Sequence, residues 1–101
     1  MKEIIRTTTG EMDNEARFYV LSEVENGSNL LTNIGVVRVD SIQKMRLAIK
    51  RALECHYMEA VSVSQINIAD ILWSEYLTGF FRITHDGEKA LIKIERTVLF
   101  D

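Results

Sequence analysis

Two places in this chain set reactive side chains side by side. Cys55 and His56 are neighbours in RALECHYMEAVSV, residues 51–63, and HDGE at 85–88 strings a histidine and two carboxylates across a turn-forming dipeptide. A thiol beside an imidazole is the raw material of a nucleophile with its base, or of half a metal site. The spacing supports neither. Adjacent residues on a helix project about 100° apart and do not face each other. A helix C-terminus is also partially negative, which opposes a thiolate. His85 is the remaining imidazole, and nothing in the spacing carries it to Cys55. Zinc wants about four ligands in short paired spacings, whereas this chain holds one cysteine and two separated histidines. Cys55 therefore reads as a small buried apolar residue. His56 reads as a core or boundary histidine closing an apolar stripe.

Carboxylate pairs do no better. Glu11 with Asp13 and Glu23 with Glu25 fall in strand-end or loop contexts that suit solvated surface, so a glycosidase-like dyad is unsupported. The glycines occur singly, without G-x-G-x-x-G, G-x-x-x-x-G-K-[ST] or G-x-S-x-G. The expectation is a protein that is not an enzyme and needs neither cofactor nor metal.

Binding is the chemistry that remains. Lys44 and Arg51 flank one side of an apolar helical stripe in residues 40–57, and Arg46 and Lys50 flank the other. These four would touch nucleic acid if the helix met phosphates, but basic residues that border a core-facing stripe also cover it with their stems. A second helix, NIADILWSEYLTG, carries an apolar arc about half its circumference wide, broader than one core contact requires. Trp73, Tyr76 and Leu77 on that arc are of the kind found at interface centres. Leu47 stands alone among polar residues on the longer helix. These four are the candidate protein interface, and Lys44, Arg46, Lys50 and Arg51 the alternative nucleic-acid contact.

The elements that would position these residues follow from periodicity. GFFRITHDGEKALIKIERTVLF is two β-rich runs around Asp86-Gly87, the dipeptide of a type I′ hairpin. With that loop, Ile83 opposes Ala90 and Phe81 opposes Ile92, all on one face, continued by Ile94, Val98 and Phe100. Arg82, Thr84, Lys89 and Lys93 point the other way. Arg96 breaks the inward series, which predicts a bulge or sheet edge there. The short helix is predicted to run from an Asn67 cap to a stop at Gly79. The long helix starts at Asp40 or Ser41, with Ile42, Met45, Ile49, Ala52, Leu53 and His56 as its stripe. AVSVSQI alternates like a strand. ARFYVLSEV and NIGVVRV flank ENGSNLLT as a hairpin through Asn26-Gly27 or a longer loop, and KEIIRTT suits an edge strand. The predicted order is β-β-β-α-β-α-β-β: a single α+β domain over residues 1–101, with a mainly antiparallel sheet against one long and one short helix.

Composition sets the outer bounds. At 101 residues with net charge −3 the chain suits one core. One cysteine forms no internal disulfide, which suits a reducing, cytoplasmic compartment. The start, MKEIIRTTTGE, lacks a signal-peptide core, and no apolar run approaches the roughly 18 residues of a membrane span. Residues 34–60 hold five basic and three acidic groups while the flanks are acidic, a weak polyanion signature. The expected function is a non-catalytic interaction module, a homo-oligomer or small partner subunit; the alternative is a nucleic-acid-associated regulator.

Overall fold

The computed structural model describes residues 16–25, 28, 30–74 and 76–97. Its elements are β1 (Arg17–Val24), β2 (Leu31–Val39), α1 (Ile42–Tyr57), a 3-10 turn (Val63–Gln65), α2 (Ala69–Ser74), β3 (Thr78–His85) and β4 (Glu88–Thr97). The four strands form one antiparallel sheet in the order β2-β1-β4-β3. This is the α+β architecture the periodicity predicts.

The β3–β4 hairpin has the predicted register: Ile83 pairs with Ala90 and Phe81 with Ile92. Asp86 and Gly87 take φ of 51° and 77°, the two positive values a type I′ turn demands. Sheet alternation then puts Tyr19, Leu21, Val37, Val39, Phe81, Ile83, Ala90, Ile92 and Ile94 on one buried face. Against that face α1 presses Met45, Ile49 and Leu53, all fully buried at the i, i+4, i+8 spacing of one helical side. Leu72 and Ala69 of α2 and Ile66 and Val61 of the connection complete the cluster.

Local signals set the ends of α1. The Ser41 hydroxyl accepts from the Lys44 N–H at 3.3 Å, relieving one of the orphan donors of the first turn. At the other end Met58 adopts φ 59° and donates its N–H to the Glu54 carbonyl at 2.8 Å, a left-handed stop.

Three expectations are corrected. AVSVSQI is not a strand: the Ser62 hydroxyl accepts from the Ser64 N–H and the Gln65 N–H bonds back to the Ser62 carbonyl, so local serine bonding wins over extension. The short helix ends at Ser74 rather than before Gly79. Gly79 belongs to β3, where a Cβ would lie 2.5 Å from Ile68 Cδ1, so the missing side chain lets the strand pass beneath the connection. Of the bulge or sheet edge expected at Arg96 it is the edge that occurs: pairing of β4 with β3 ends at Glu95, the Arg96 N–H bonds the Leu77 carbonyl, and β4 continues to Thr97 paired with β1; the register shift lies between Leu21 and Ser22, opposite Ile34. Cys55 and His56 are exposed, because the buried side of α1 runs through Met45, Ile49 and Leu53 and on to the half-buried Tyr57, four residues further, instead of to His56. The strand expected in KEIIRTT, the Asn26-Gly27 turn, and Val98 and Phe100 lie outside the described residues.

Two glycines separate conformation from space. Neither Gly35 nor Gly87 has a neighbour within 4 Å of a built Cβ, but only Gly87 has positive φ. Gly87→Ala should lower stability by about 1–2 kcal/mol, and Gly35→Ala should stay within about 1 kcal/mol of the parent, both read by urea unfolding. The Tyr19 hydroxyl is fully buried with no hydrogen-bond partner among the described residues. Tyr19→Phe should therefore hold or raise stability, by up to about 1 kcal/mol, in the same measurement.

Candidate interaction site

Helices cover one face of the sheet, and the other is bare among the described residues. Alternation puts Phe18, Val20 and Val24 of β1 on the bare face, with Leu31 and Val36 of β2, Leu91 of β4 and Phe80 of β3. Val36 is 62% exposed and Phe80 51%. Val36 lies directly across from Val20, and Leu31, Val24 and Leu91 form one row across three strands. The apolar side chains thus concentrate over β1 and β2. Charge concentrates elsewhere on this face: Arg82, Lys89 and Lys93 belong to β3 and β4, with Arg38 at the far corner and Glu95 the one acid. The Lys93 ammonium lies 3.7 Å from the Glu95 carboxylate.

The predicted interface residues do not converge. Trp73 is half-buried against the core; the Arg17 guanidinium lies 4.0 Å from its ring centroid and donates to its carbonyl. That contact satisfies a carbonyl near the end of α2 and occupies the indole face with a cation. Tyr76 and Leu77 are exposed, in the link to β3 rather than on a helix. Leu47 is exposed on the flank of α1 that borders β2. Its neighbour Arg46 reaches to α2, so Leu47 and the Trp73 group occupy different sides of α1.

The predicted basic set is divided in the same way. Arg46 donates to the Ile66 carbonyl at 2.9 Å and pairs with Asp70 at 2.8 Å. Lys50 pairs with Glu54 at 2.9 Å, and Glu54 also accepts from the Val61 N–H at 2.8 Å. These bonds, Lys50 first, hold the Glu54 carboxyl below its ordinary value. Arg46 and Lys50 thus tie α1 to the chain that follows it. Lys44 has a looser contact with Asp40 at 3.6 Å, and Arg51 has no acidic partner among the described residues.

A polar cleft of about 550 Å³ lies at the far end of β1, between Glu23, Glu25, Arg82, His85, Glu88 and Lys89. Of its lining residues, His85 is stacked from behind: the Tyr57 ring lies on it with centroids 4.1 Å apart, and His56 meets the same tyrosine ring edge-on at 4.7 Å. The Tyr57 hydroxyl donates to Glu23 Oε1. Two histidines that the sequence separates are thus gathered by one tyrosine, while Cys55, about 200° around the helix from Tyr57, is not. Among the described residues no three His, Cys, Asp or Glu side chains converge to hold a metal ion.

Burial, then the hydrogen bond to Glu23 and its negative charge, push the Tyr57 phenol well above its ordinary value of 10.0. A raised value favours the protonated form in the folded state. The stabilisation it represents is complete below about pH 10, the unfolded value, and is lost as pH rises beyond it. Tyr57→Phe should cost about 0.5–1.5 kcal/mol at neutral pH and flatten the fall of thermal stability above pH 10. Parent and variant melting curves across that range check it.

The bare-face residues carried one sequence signal. FYVLSEV and IGVVRV are near-continuous apolar runs rather than strict alternations, the pattern of strands with apolar groups on both faces. Comparison of the chain with models of protein families, with curated proteins and with solved structures finds no match.

Proposed function

We propose that this protein is a non-catalytic interaction module that works through protein–protein contact as a homo-oligomer, with the bare face of its sheet as the contact surface. The observation that carries this reading is the apolar cover of that face, densest over β1 and β2 and extended to β3 by Phe80, with Val36 and Phe80 more than half exposed. Water-facing patches of this kind mark interaction sites on small soluble domains.

A second copy suits the face in area and in charge layout. Four strands at about 4.8 Å spacing and about 3.3 Å per residue make a face of about 19 by 26 Å. Two such faces bury about 1,000 Å² together, the level at which specific interfaces begin. A two-fold contact spanning all four strands buries the apolar rows of β1 and β2 together with Phe80 and leaves Arg82 and Lys89 toward the rim, where water screens them. Nucleic acid is the weaker reading, because two of the four basic residues proposed for it are committed to internal ion pairs. The unpaired, exposed Cys55 suits a reducing compartment such as the cytoplasm. No helix among the described residues is long and apolar enough to cross a membrane.

Light scattering across protein concentration tests the proposal. The parent should be dimeric at high micromolar concentration, and the dimer should strengthen with salt as rim repulsion is screened. Val36→Lys and Phe80→Lys should each weaken it by more than about tenfold. Both side chains are exposed, so the unfolding free energy of the monomer should move by only about 0.5 kcal/mol. A parent that stays monomeric at millimolar concentration, or a dimer indifferent to both substitutions, overturns the reading.

A further inference from the structure

The two edges of the sheet are treated differently. Along β3 the connection after α1 supplies blocking groups: Gln65 Oε1 accepts from the Thr84 N–H at 2.7 Å, and the Glu59 carboxylate accepts from the Asp86 N–H at 2.8 Å. At the opposite edge β2 carries no such guard among the described residues. Among the described residues, nothing except β1 hydrogen-bonds to the backbone of residues 36–39. An unguarded strand edge is a template for another strand, and natural proteins usually blunt it.

Beside this stretch runs a groove of about 380 Å³ between β2 and α1. Its apolar floor is Val39, Leu47 and Ala48, and its cationic groups are Arg38, Lys44 and Arg51. Asp40 is the one acid lining it and is paired with Lys44 at 3.6 Å. Glu54, one turn along the helix from Arg51, is engaged by Lys50 and the Val61 N–H. Neither Arg38 nor Arg51 has an acidic partner among the described residues. The chain as a whole is net negative, so this is a local positive site on an acidic molecule.

From the free edge and the charge of the groove beside it, we infer that β2 and α1 form a docking groove for an acidic peptide segment in extended conformation, which adds to the sheet as a fifth strand. Main-chain hydrogen bonds to residues 36–39 supply the sequence-independent part of the binding. Alternate side chains of the added strand point toward α1, where an apolar one meets Leu47 and Val39. Carboxylates on either side meet Arg51 and Lys44 above the sheet plane and Arg38 below it. The register shift between Leu21 and Ser22, opposite Ile34, interrupts the regular pairing of β2 on the far side of residues 36–39 from the start of α1. Leu47, Lys44 and Arg51 thereby act in one site rather than in two competing ones. This groove is a different surface from the bare sheet face, and neither proposal requires the other.

Fluorescence anisotropy with a labelled short peptide of alternating Glu and Val tests it on the 101-residue chain. The expected result is saturable binding, with no binding of the alternating Lys and Val peptide. Arg51→Glu and Leu47→Asp should each weaken binding by about tenfold or more, and both side chains are exposed, so circular dichroism should show an intact fold. N-methylation of alternate peptide amides should abolish binding, because it removes main-chain donors and leaves the charges. Phe80→Lys, which tests the sheet face, should leave peptide affinity unchanged. The inference is overturned if the N-methylated peptide binds as well as its parent, if oligothymidine binds more tightly than the acidic peptide, or if the acidic peptide does not bind at low salt.

Discussion

The seating of α1 on one face of the sheet is the contact on which the rest of the structure depends. Met45, Ile49 and Leu53 are spaced to meet one surface, and the inward residues of β1 and β2 supply it. Among the described residues this α+β sheet buries one face under the helices and leaves the other bare. The apolar residues on that second face are what make it a surface of interest.

The polar residues at the margins of the buried face fix how the helices sit. Arg17 and Glu23 are the inward residues at opposite ends of β1, and each is occupied by a partner from the helical layer. Arg17 holds Trp73 near the end of α2, and Glu23 accepts from Tyr57 at the end of α1. Arg46 and Glu54 add ties from α1 to the connection beyond it. The contacts are modest individually, because most are partly exposed. Their common effect is positional: they hold α2 and the 3-10 turn over β3 and leave the β2 side of α1 open. The guarded and unguarded edges of the sheet are two consequences of that single displacement.

Much of the fold was legible in the residues, and the reasons are local. Asp86-Gly87 with alternating neighbours specifies one turn and one register, because both turn positions need positive φ and a one-residue slip would invert every side chain. The span of α1 could be read from Ser41, from the stripe, and from a stretch where helical spacing gives out. AVSVSQI misled because alternation over so short a run cannot reveal that the Ser62 hydroxyl will accept from the Ser64 N–H and the Gln65 N–H turn back to the Ser62 carbonyl instead. NIADILWSEYLTG misled because Gly79 is as good a stop signal as it is a close-approach residue, and only the presence of Ile68 above it decides which.

By itself the sequence determined the class of the fold, the hairpin register, the long helix with its buried stripe, and the poverty of catalytic constellations, since each depends on spacing between near neighbours. The tertiary structure alone decided which of the candidate binding residues share a surface. Arg38 and Arg51 lie far apart in the chain yet line one groove, Arg46 and Lys50 are spent on internal partners, and Trp73 lies against Arg17. Strand order, the side of the sheet on which the helices lie, and the displacement of α2 toward β3 all arise from contacts between distant segments. Local periodicity carries no record of those contacts, because it reports which side of an element is apolar and not what that side will meet.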